Sequence, residues 1–453
     1  MAITTARETT AASQEVDTLC AKALKALEVM KTLNQEQVDK ITKAMCDAGV
    51  ANERKLAEMA VEETGIGKVE DKVIKNHFGT QVMYDYMKDK KSVGVISDKE
   101  GIVEIAEPYG VVAAVTPTTN PTSTAMFKSL ISLKGRNVVI FGFHPRAQKC
   151  SAAAAKIMHD AAVAAGAPKD CIQWIENPSV EATNALMTHP DVSIIIATGG
   201  GAMVKAAYSS GHPALGVGPG GVPIFVEKSA DLEVATDSVI MSKTFDNGTI
   251  CSSDQSVIFD DKATAEKALK LFEQKGAYMA TEEEKAKLEK VMFDKERGVP
   301  SMAIVGKSPQ EIGKLAGINI PADRKMIMVP LSTTGGEDWM SHEKLSPVLG
   351  WYVAPSTDEA IKAASSQLEF GGAGHSAGIF TRDEKVAQKF AVTVNANRVM
   401  WNQPSVHGTI GALYNTLAPS LTLGCGSRGG NITSENVNFQ HLLNIKRLAK
   451  PRA

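Results

Sequence analysis

The sequence has no apolar run long enough to cross a bilayer. Its opening, MAITTARETTAASQEV, has neither the basic nor the apolar stretch of a secretory signal. No membrane span is expected, the opening reads as a polar, frayed tail, and the cytoplasm is the expected compartment. Charge of one sign is missing too. With 49 basic against 51 acidic side chains the net charge is −2, which gives no overall electrostatic reason for nucleic acid or an anionic membrane as partner. The six cysteines form no C-x-x-C pair and no Cys/His grouping with zinc spacing. A metal site is therefore not expected. Scattered thiols suit a reducing compartment, most of them as small buried apolar residues. Internal repeats, low-complexity linkers and long charge blocks are likewise absent. What is present is a chain of 453 residues, 43% hydrophobic and 22% charged, enough for two or three substructures around a large core.

The first ninety residues read as helical. In EVDTLCAKALKALEVMKTL, Val16, Leu19, Ala23, Leu24, Leu27 and Met30 recur at helical spacing. Asn34 with Gln37 three positions on marks a helix start, and Val38, Ile41 and Met45 continue the stripe. From about residue 93 the pattern changes. GVISDKEGIVEIAEPYG predicts a β-hairpin turning near Lys99–Gly101, followed by the apolar run Val111–Val115. Strands are then expected at NVVIF, IQWIE, VSIIIATGG and VPIFVE, with helices at SAAAAKIMHDAAVAAG and MVKAAYSS. Apolar strands separated by helices indicate a parallel sheet covered on both faces, with nucleotide sites where strand ends meet glycine. A second α/β region is expected over about 235–418, with strands in QSVIF, SMAIVG and KMIMVPL and a charged helix in TEEEKAKLEKVM.

In TFDNGTICSSDQS, Cys251 follows a glycine-containing turn and precedes a strand-like run. A cysteine at such a bend either exposes its sulfur to thiolate-stabilising N–H groups or is a buried structural residue. Spacing alone leaves both open. His342 and Glu343 do not make a zinc protease motif, because H-E-K-L-S lacks the second histidine.

FDNGTICSSDQS resembles the nucleophile segment of the aldehyde dehydrogenase superfamily, and in particular the aldehyde dehydrogenase half of bifunctional acetaldehyde–alcohol dehydrogenases. The resemblance continues in order through VTPTTNPTSTAMFKSLISLKGRN, HPRA, ATGGGAMVKAAYSSG, MSKTFDNG, HEKLSPV, GAGHSAGIFT and LAPSLTLGCGS. It implies a doubly wound cofactor domain over 1–234, with a hairpin arm near 93–108. A catalytic α/β domain over 235–418 and an oligomerisation segment over 419–453 follow, in a homodimer or higher homo-oligomer.

The chemistry implied by the resemblance begins with attack of Cys251 on an aldehyde carbonyl. Asn120 and the Cys251 backbone N–H hold the oxyanion, hydride passes to NAD or NADP, and a thioester remains on Cys251. Asn120 equally suits a turn before Pro121 when read without the family. Glu343 matches a glutamate that holds the nicotinamide ribose, and Leu345 an apolar residue beside the cofactor. Thr198, Gly199 and Gly200 match the turn near the pyrophosphate. Thr116, Pro117, Thr118, His144 and Gly218 complete the implied cofactor set, and Arg146 is a candidate for a 2′-phosphate. NAD is favoured.

Hydrolytic members resemble one another in E-L-G-G-K, whose glutamate activates water. The stretch here is LGVGPGGVP, with no carboxylate. Without a general base water is a poor acceptor, whereas the thiol of coenzyme A needs less help. The implied products are acyl-CoA and NADH. His375 matches a histidine common to acylating members, as a substrate or cofactor contact or as a structural residue. Arg428 and His407 depart from the acetaldehyde-using pattern. Arginine suits a carboxylate or sulfonate, so a small anionic aldehyde such as sulfoacetaldehyde or succinic semialdehyde is the alternative substrate to acetaldehyde. A hydrolytic enzyme with a displaced base and a silent assembly subunit are the rival readings.

Overall fold

The computed structural model describes residues 10–452. The opening is not a frayed tail where it is described. A helix begins at Ala11, capped by Thr10 and Ser13 in a reciprocal capping box, while residues 1–9 of that expected tail lie outside the described residues. Val16, Ala23, Leu27 and Met30 are buried as the stripe requires, whereas Leu24 faces solvent. Asn34 and Gln37 cap the helix Gln35–Ala51 reciprocally.

A five-stranded sheet carries Ile172–Trp174, Val138–Gly142, Val111–Val115, Val192–Thr198 and Ala214–Val217, in that spatial order. Every pairing in it is parallel. The chain lays down the central strand first, fills one side, then crosses to the other. The order therefore reverses between Val111–Val115 and Val192–Thr198, and a crevice opens at their carboxyl ends. Lys128, fully buried, donates to Val115 O at 2.6 Å and Ile196 O at 2.9 Å, tying the two strand ends beneath the crevice.

The second sheet has seven parallel strands, in the order Ala277–Met279, Met326–Pro330, Val348–Val353, Asp254–Phe259, Val222–Val226, Gly374–Phe380 and Ala396–Trp401. Two expectations need correction here. VPIFV was grouped with the cofactor domain but pairs with Asp254–Phe259 and Gly374–Phe380, so the crossing between sheets lies in residues 218–221 rather than at 234. SMAIVG is not a strand but a series of turns. Gly306 has φ +69 there, and a Cβ on it would meet Gly67 N at 2.8 Å, so close backbone approach replaces ladder pairing.

The hairpin Gly94–Lys99 and Ile102–Pro108 forms as the pattern predicts. It is joined antiparallel by Leu443–Ala449 in a separate three-stranded sheet. No described helix is long and apolar enough to cross a membrane, and no group of three or more potential metal ligands gathers among the described residues.

Candidate active site

A cavity of about 480 Å³ occupies the crevice and reaches across to the second sheet. Cys251, Asn120, Thr116, Pro117, Thr118, His144, Thr198, Gly199, Gly200, Gly218, Glu343 and Leu345 all line it. Met203 and Met302, which sequence reasoning did not single out, line it too. Met302 arrives on the turn that replaces the expected SMAIVG strand.

Cys251 is half-buried between the segment Phe245–Gly248 and the strand Asp254–Phe259. Asp246, Asn247 and Gly248 take φ of 49°, 52° and 72° in succession. Asp and Asn tolerate this left-handed region better than other side chains. A Cβ on Gly248 would meet Ser346 O at 2.7 Å. Asn247 Nδ2 donates to Gly306 O at 2.9 Å, pinning the turn to the SMAIVG segment.

Burial pushes the Cys251 thiol up to about 12, with the nearby Glu343 carboxylate adding to the rise and the Arg398 guanidinium opposing it. Of the two readings that spacing left open, the balance at this sulfur is set by desolvation, which outweighs the groups that favour a thiolate. Glu343 is itself lifted to about 7, chiefly by burial. It accepts from Gly220 N at 2.9 Å, and it is the one carboxylate lining the cavity among the described residues.

Asn120 occupies the N-cap position of the helix Pro121–Lys134, with Pro121 opening the first turn, yet its side chain does not cap. The amide is engaged instead by Lys75, whose Nζ donates to Asn120 Oδ1 at 2.7 Å, while Asn120 Nδ2 lies 3.1 Å from Thr119 Oγ1. Lys75 also reaches Thr249 O at 3.1 Å and the Asp246 carboxylate. Lys72 bonds the same carboxylate at 2.9 Å and Thr119 O at 2.9 Å. Neither lysine stood out in the sequence, and no hydropathy signal marks them.

The lining suits a dinucleotide. The Thr116 and Thr198 hydroxyls are buried without a protein hydrogen-bond partner, and they flank the point where the strand order reverses. Gly200 heads the helix Gly201–Tyr208, whose first N–H groups lack intrahelical acceptors. A Cβ on Gly200 or Gly218 would meet nothing within 4 Å. Gly220 and Gly221 are different, since a Cβ on Gly220 would strike Cys251 O at 1.7 Å and one on Gly221 would strike Gly371 O at 1.6 Å. Gly220 is thus packed backbone to backbone against Cys251, and Gly221 against Gly371.

The residues expected at the substrate are not brought to this cavity. His375 is fully buried; its Nδ1 lies 3.1 Å from Ser376 Oγ and its Nε2 has no protein partner. Burial, reinforced by Arg398, holds it neutral by lowering its pKa to about 3. His407 packs edge-on to Phe245 with centroids 4.8 Å apart. Arg428 is exposed on the turn Ser427–Gly429, and Arg146 is exposed with its N–H on His144 Nδ1 at 3.1 Å.

Comparison with known proteins agrees with this geometry. The sequence profile of the aldehyde dehydrogenase family matches residues 2–412. The chain is similar to an aldehyde-alcohol dehydrogenase of Entamoeba histolytica, 48% identical over 98% of this chain and 52% of the relative. It is also similar to a succinate-semialdehyde dehydrogenase (acetylating) of Clostridium kluyveri, 39% identical over 95% of this chain and 94% of that protein. The chain spans about half the length of the Entamoeba relative and nearly all of the Clostridium one. Among solved structures, an acetylating aldehyde dehydrogenase from Geobacillus thermoglucosidasius superposes with a TM-score of 0.95 at 46% identity, covering 98% of this chain and 97% of that one.

Proposed function

Because this chain belongs to the aldehyde dehydrogenase family, we propose that it oxidises a short aldehyde to its acyl-CoA with NAD, reversibly, through a thioester on Cys251. The observation that carries the acyl-CoA outcome is the stretch 215–223. It offers no side-chain carboxylate, and Gly218 leaves open volume beside its backbone in the cavity that Cys251 lines. Glu343 is bonded to Gly220 N and is the residue we assign to the nicotinamide ribose, so it is not free to activate water. An incoming thiol brings its own nucleophilicity.

The chain's residues act in a definite order. Cys251 Sγ gives up its proton to solvent and bonds to the carbonyl carbon, whose π pair moves onto the oxygen. The resulting oxyanion is held by Asn120 Nδ2–H and the Cys251 backbone N–H. When bound, the nicotinamide supplies a hydride acceptor, which leaves the acyl group on sulfur. Thr116, Thr198 and the N–H groups after Gly200 hold the dinucleotide, and Leu345 and Met203 bury its surroundings. The thiol of coenzyme A then takes the acyl group and Cys251 is restored. The balance is aldehyde, CoA and NAD⁺ to acyl-CoA, NADH and a proton. NAD rather than NADP fits an Arg146 that stands outside the lining. The enzyme works in the cytoplasm as a homodimer, with the three-stranded sheet as its pairing arm. That sheet leaves Val95, Ile102 and Leu448 exposed.

A second reading, a small anionic aldehyde, is favoured by the similarity to the Clostridium kluyveri protein. NADH formation from acetaldehyde, propanal, succinic semialdehyde and sulfoacetaldehyde, each with and without CoA, tests both readings. Sustained turnover is expected only with CoA, and a Cys251→Ser variant should lose at least ~10³-fold in kcat. Equal sustained rates without CoA would overturn the acyl-transfer reading. A preference for the uncharged aldehydes would remove the anionic one.

A further inference from the structure

Under the catalytic pair lies a buried charged cluster that the mechanism above leaves unused. The helix Val69–His77 buries Lys72 and Lys75, one turn apart, while Ile74 on the same helix is 49% exposed. Taking two ammonium groups out of water and leaving an isoleucine in it costs free energy on both counts. Only their bonds offset that cost. Asp246 supplies the counter-charge. It is fully buried at a left-handed φ of 49°, and it accepts from both lysines, from Lys68 N at 2.7 Å and from Thr249 Oγ1 at 2.8 Å. Gly67 makes room for it, since a Cβ there would lie 2.0 Å from Asp246 Oδ1.

We propose that Lys75, anchored by Asp246, is the positioning residue of the oxyanion hole. It holds the Asn120 amide with its oxygen turned to the ammonium, so that Nδ2–H is left for the reacting carbonyl oxygen. The inference rests on the reading of Cys251 as nucleophile and Asn120 as donor. An amide side chain has an acceptor end and a donor end, and an ammonium at 2.7 Å from Oδ1 permits only one of the two flips. The same ammonium bonds Thr249 O, two residues before Cys251, so one group fixes both donors of the hole relative to each other. Asn120 follows a strand of the first sheet and Thr249 precedes a strand of the second, and Lys72 repeats the bridge through Thr119 O. A cation on the amide oxygen also polarises the amide and strengthens its N–H as a donor. Donors fixed before the charge develops are what lower such barriers.

The test is the pre-steady-state burst of NADH with saturating aldehyde, in the parent and in Lys75→Met, Asn120→Ala and the double variant. Lys75→Met is expected to slow the burst by ~10²-fold, the loss typical of an oxyanion donor. NAD affinity and the rate of Cys251 alkylation should stay at the parent's values, which a merely structural role would not guarantee. The double variant should be slower than Asn120→Ala by much less than the full Lys75→Met loss, because the amide is one of the two links through which Lys75 acts. The parent's advantage over Lys75→Met should narrow as the pH rises past about 8, where the ammonium loses its proton, whatever rise both owe to the Cys251 thiol. A parental burst in Lys75→Met, or losses that add in full, would overturn the proposal. Should Lys75→Met not fold, Lys75→Ala removes the donor and the charge alike, and a parental burst in it would overturn the proposal equally. No burst in the parent would instead sink the reading of Cys251 and Asn120, and this inference with it.

Discussion

Cys251 and Glu343 share one cavity, and burial holds both away from their charged states, with the Glu343 carboxylate adding to the rise of the thiol. Burial sets the thiol at about 12 and the carboxyl at about 7. Since the thiolate is the nucleophile, its fraction below that value grows about tenfold per pH unit. Alkylation of Cys251 by iodoacetamide in the NAD-free protein should therefore keep climbing from pH 7 to pH 9. A plateau below pH 8 would mean that the surrounding N–H groups and Arg398 outweigh burial. At this scale the residues to which the family resemblance assigns the nucleophile, the oxyanion donor and the cofactor set fall together in one cavity, although spacing alone left Cys251 and Asn120 open. Lys72 and Lys75 were not legible. A helix that buries lysine and exposes isoleucine inverts the hydropathy pattern that a sequence reading relies on. Their partner Asp246 is also 171 residues from Lys75. His375, His407 and Arg428 were singled out by departure from or agreement with a family pattern, which carries no information on which cavity a side chain reaches.

The loop at 218–221 is the element on which the reaction class turns. It crosses between the sheets, gives Glu343 its backbone donor and packs against the carbonyl of Cys251. Gly220→Ala would put a methyl group into that carbonyl, and the clash is with backbone, so Cys251 must shift. A displacement of about 1 Å at a reacting atom costs ~10²-fold in rate, and kcat for Gly220→Ala is expected to fall by about that factor. Parental kcat would show that the loop yields instead. Strands such as Val111–Val115 and Val138–Gly142 were legible because a strand buried on both faces is continuously apolar. Ala214–Val217 is only four residues long and gave no periodic signal. VPIFV had the right conformation and the wrong sheet, since apolar content does not tell which edge a strand joins. SMAIVG has buried Ile304 and Val305, as a strand would, but Ile304 packs from a turn into the cluster of Leu288, Met292 and Ile312 instead of from a ladder.

Across the whole molecule, side chains add to the pairing of Leu443–Ala449 with the hairpin in joining the parts that the sequence presented as separate. Asn137 accepts from Gly110 N at 2.9 Å and donates to Leu442 O at 2.9 Å, linking the first sheet to the C-terminal segment. Arg136 donates to Lys31 O at 2.7 Å and Ala106 O at 3.1 Å, linking the first helix to the hairpin. The cavity between the two sheets thus has the Cys251 sulfur on one side and the turns at Thr116 and Thr198–Gly200 on the other. In the proposed reaction this sulfur keeps an acyl group until a second thiol arrives. The most direct measurement is the mass of the Cys251 peptide after mixing the protein with aldehyde and NAD and no CoA, followed by CoA. The account predicts one acyl group on Cys251 and one equivalent of NADH, with the adduct cleared and turnover resumed when CoA is added. An unmodified Cys251 with NADH accumulating past one equivalent before CoA is added would contradict it.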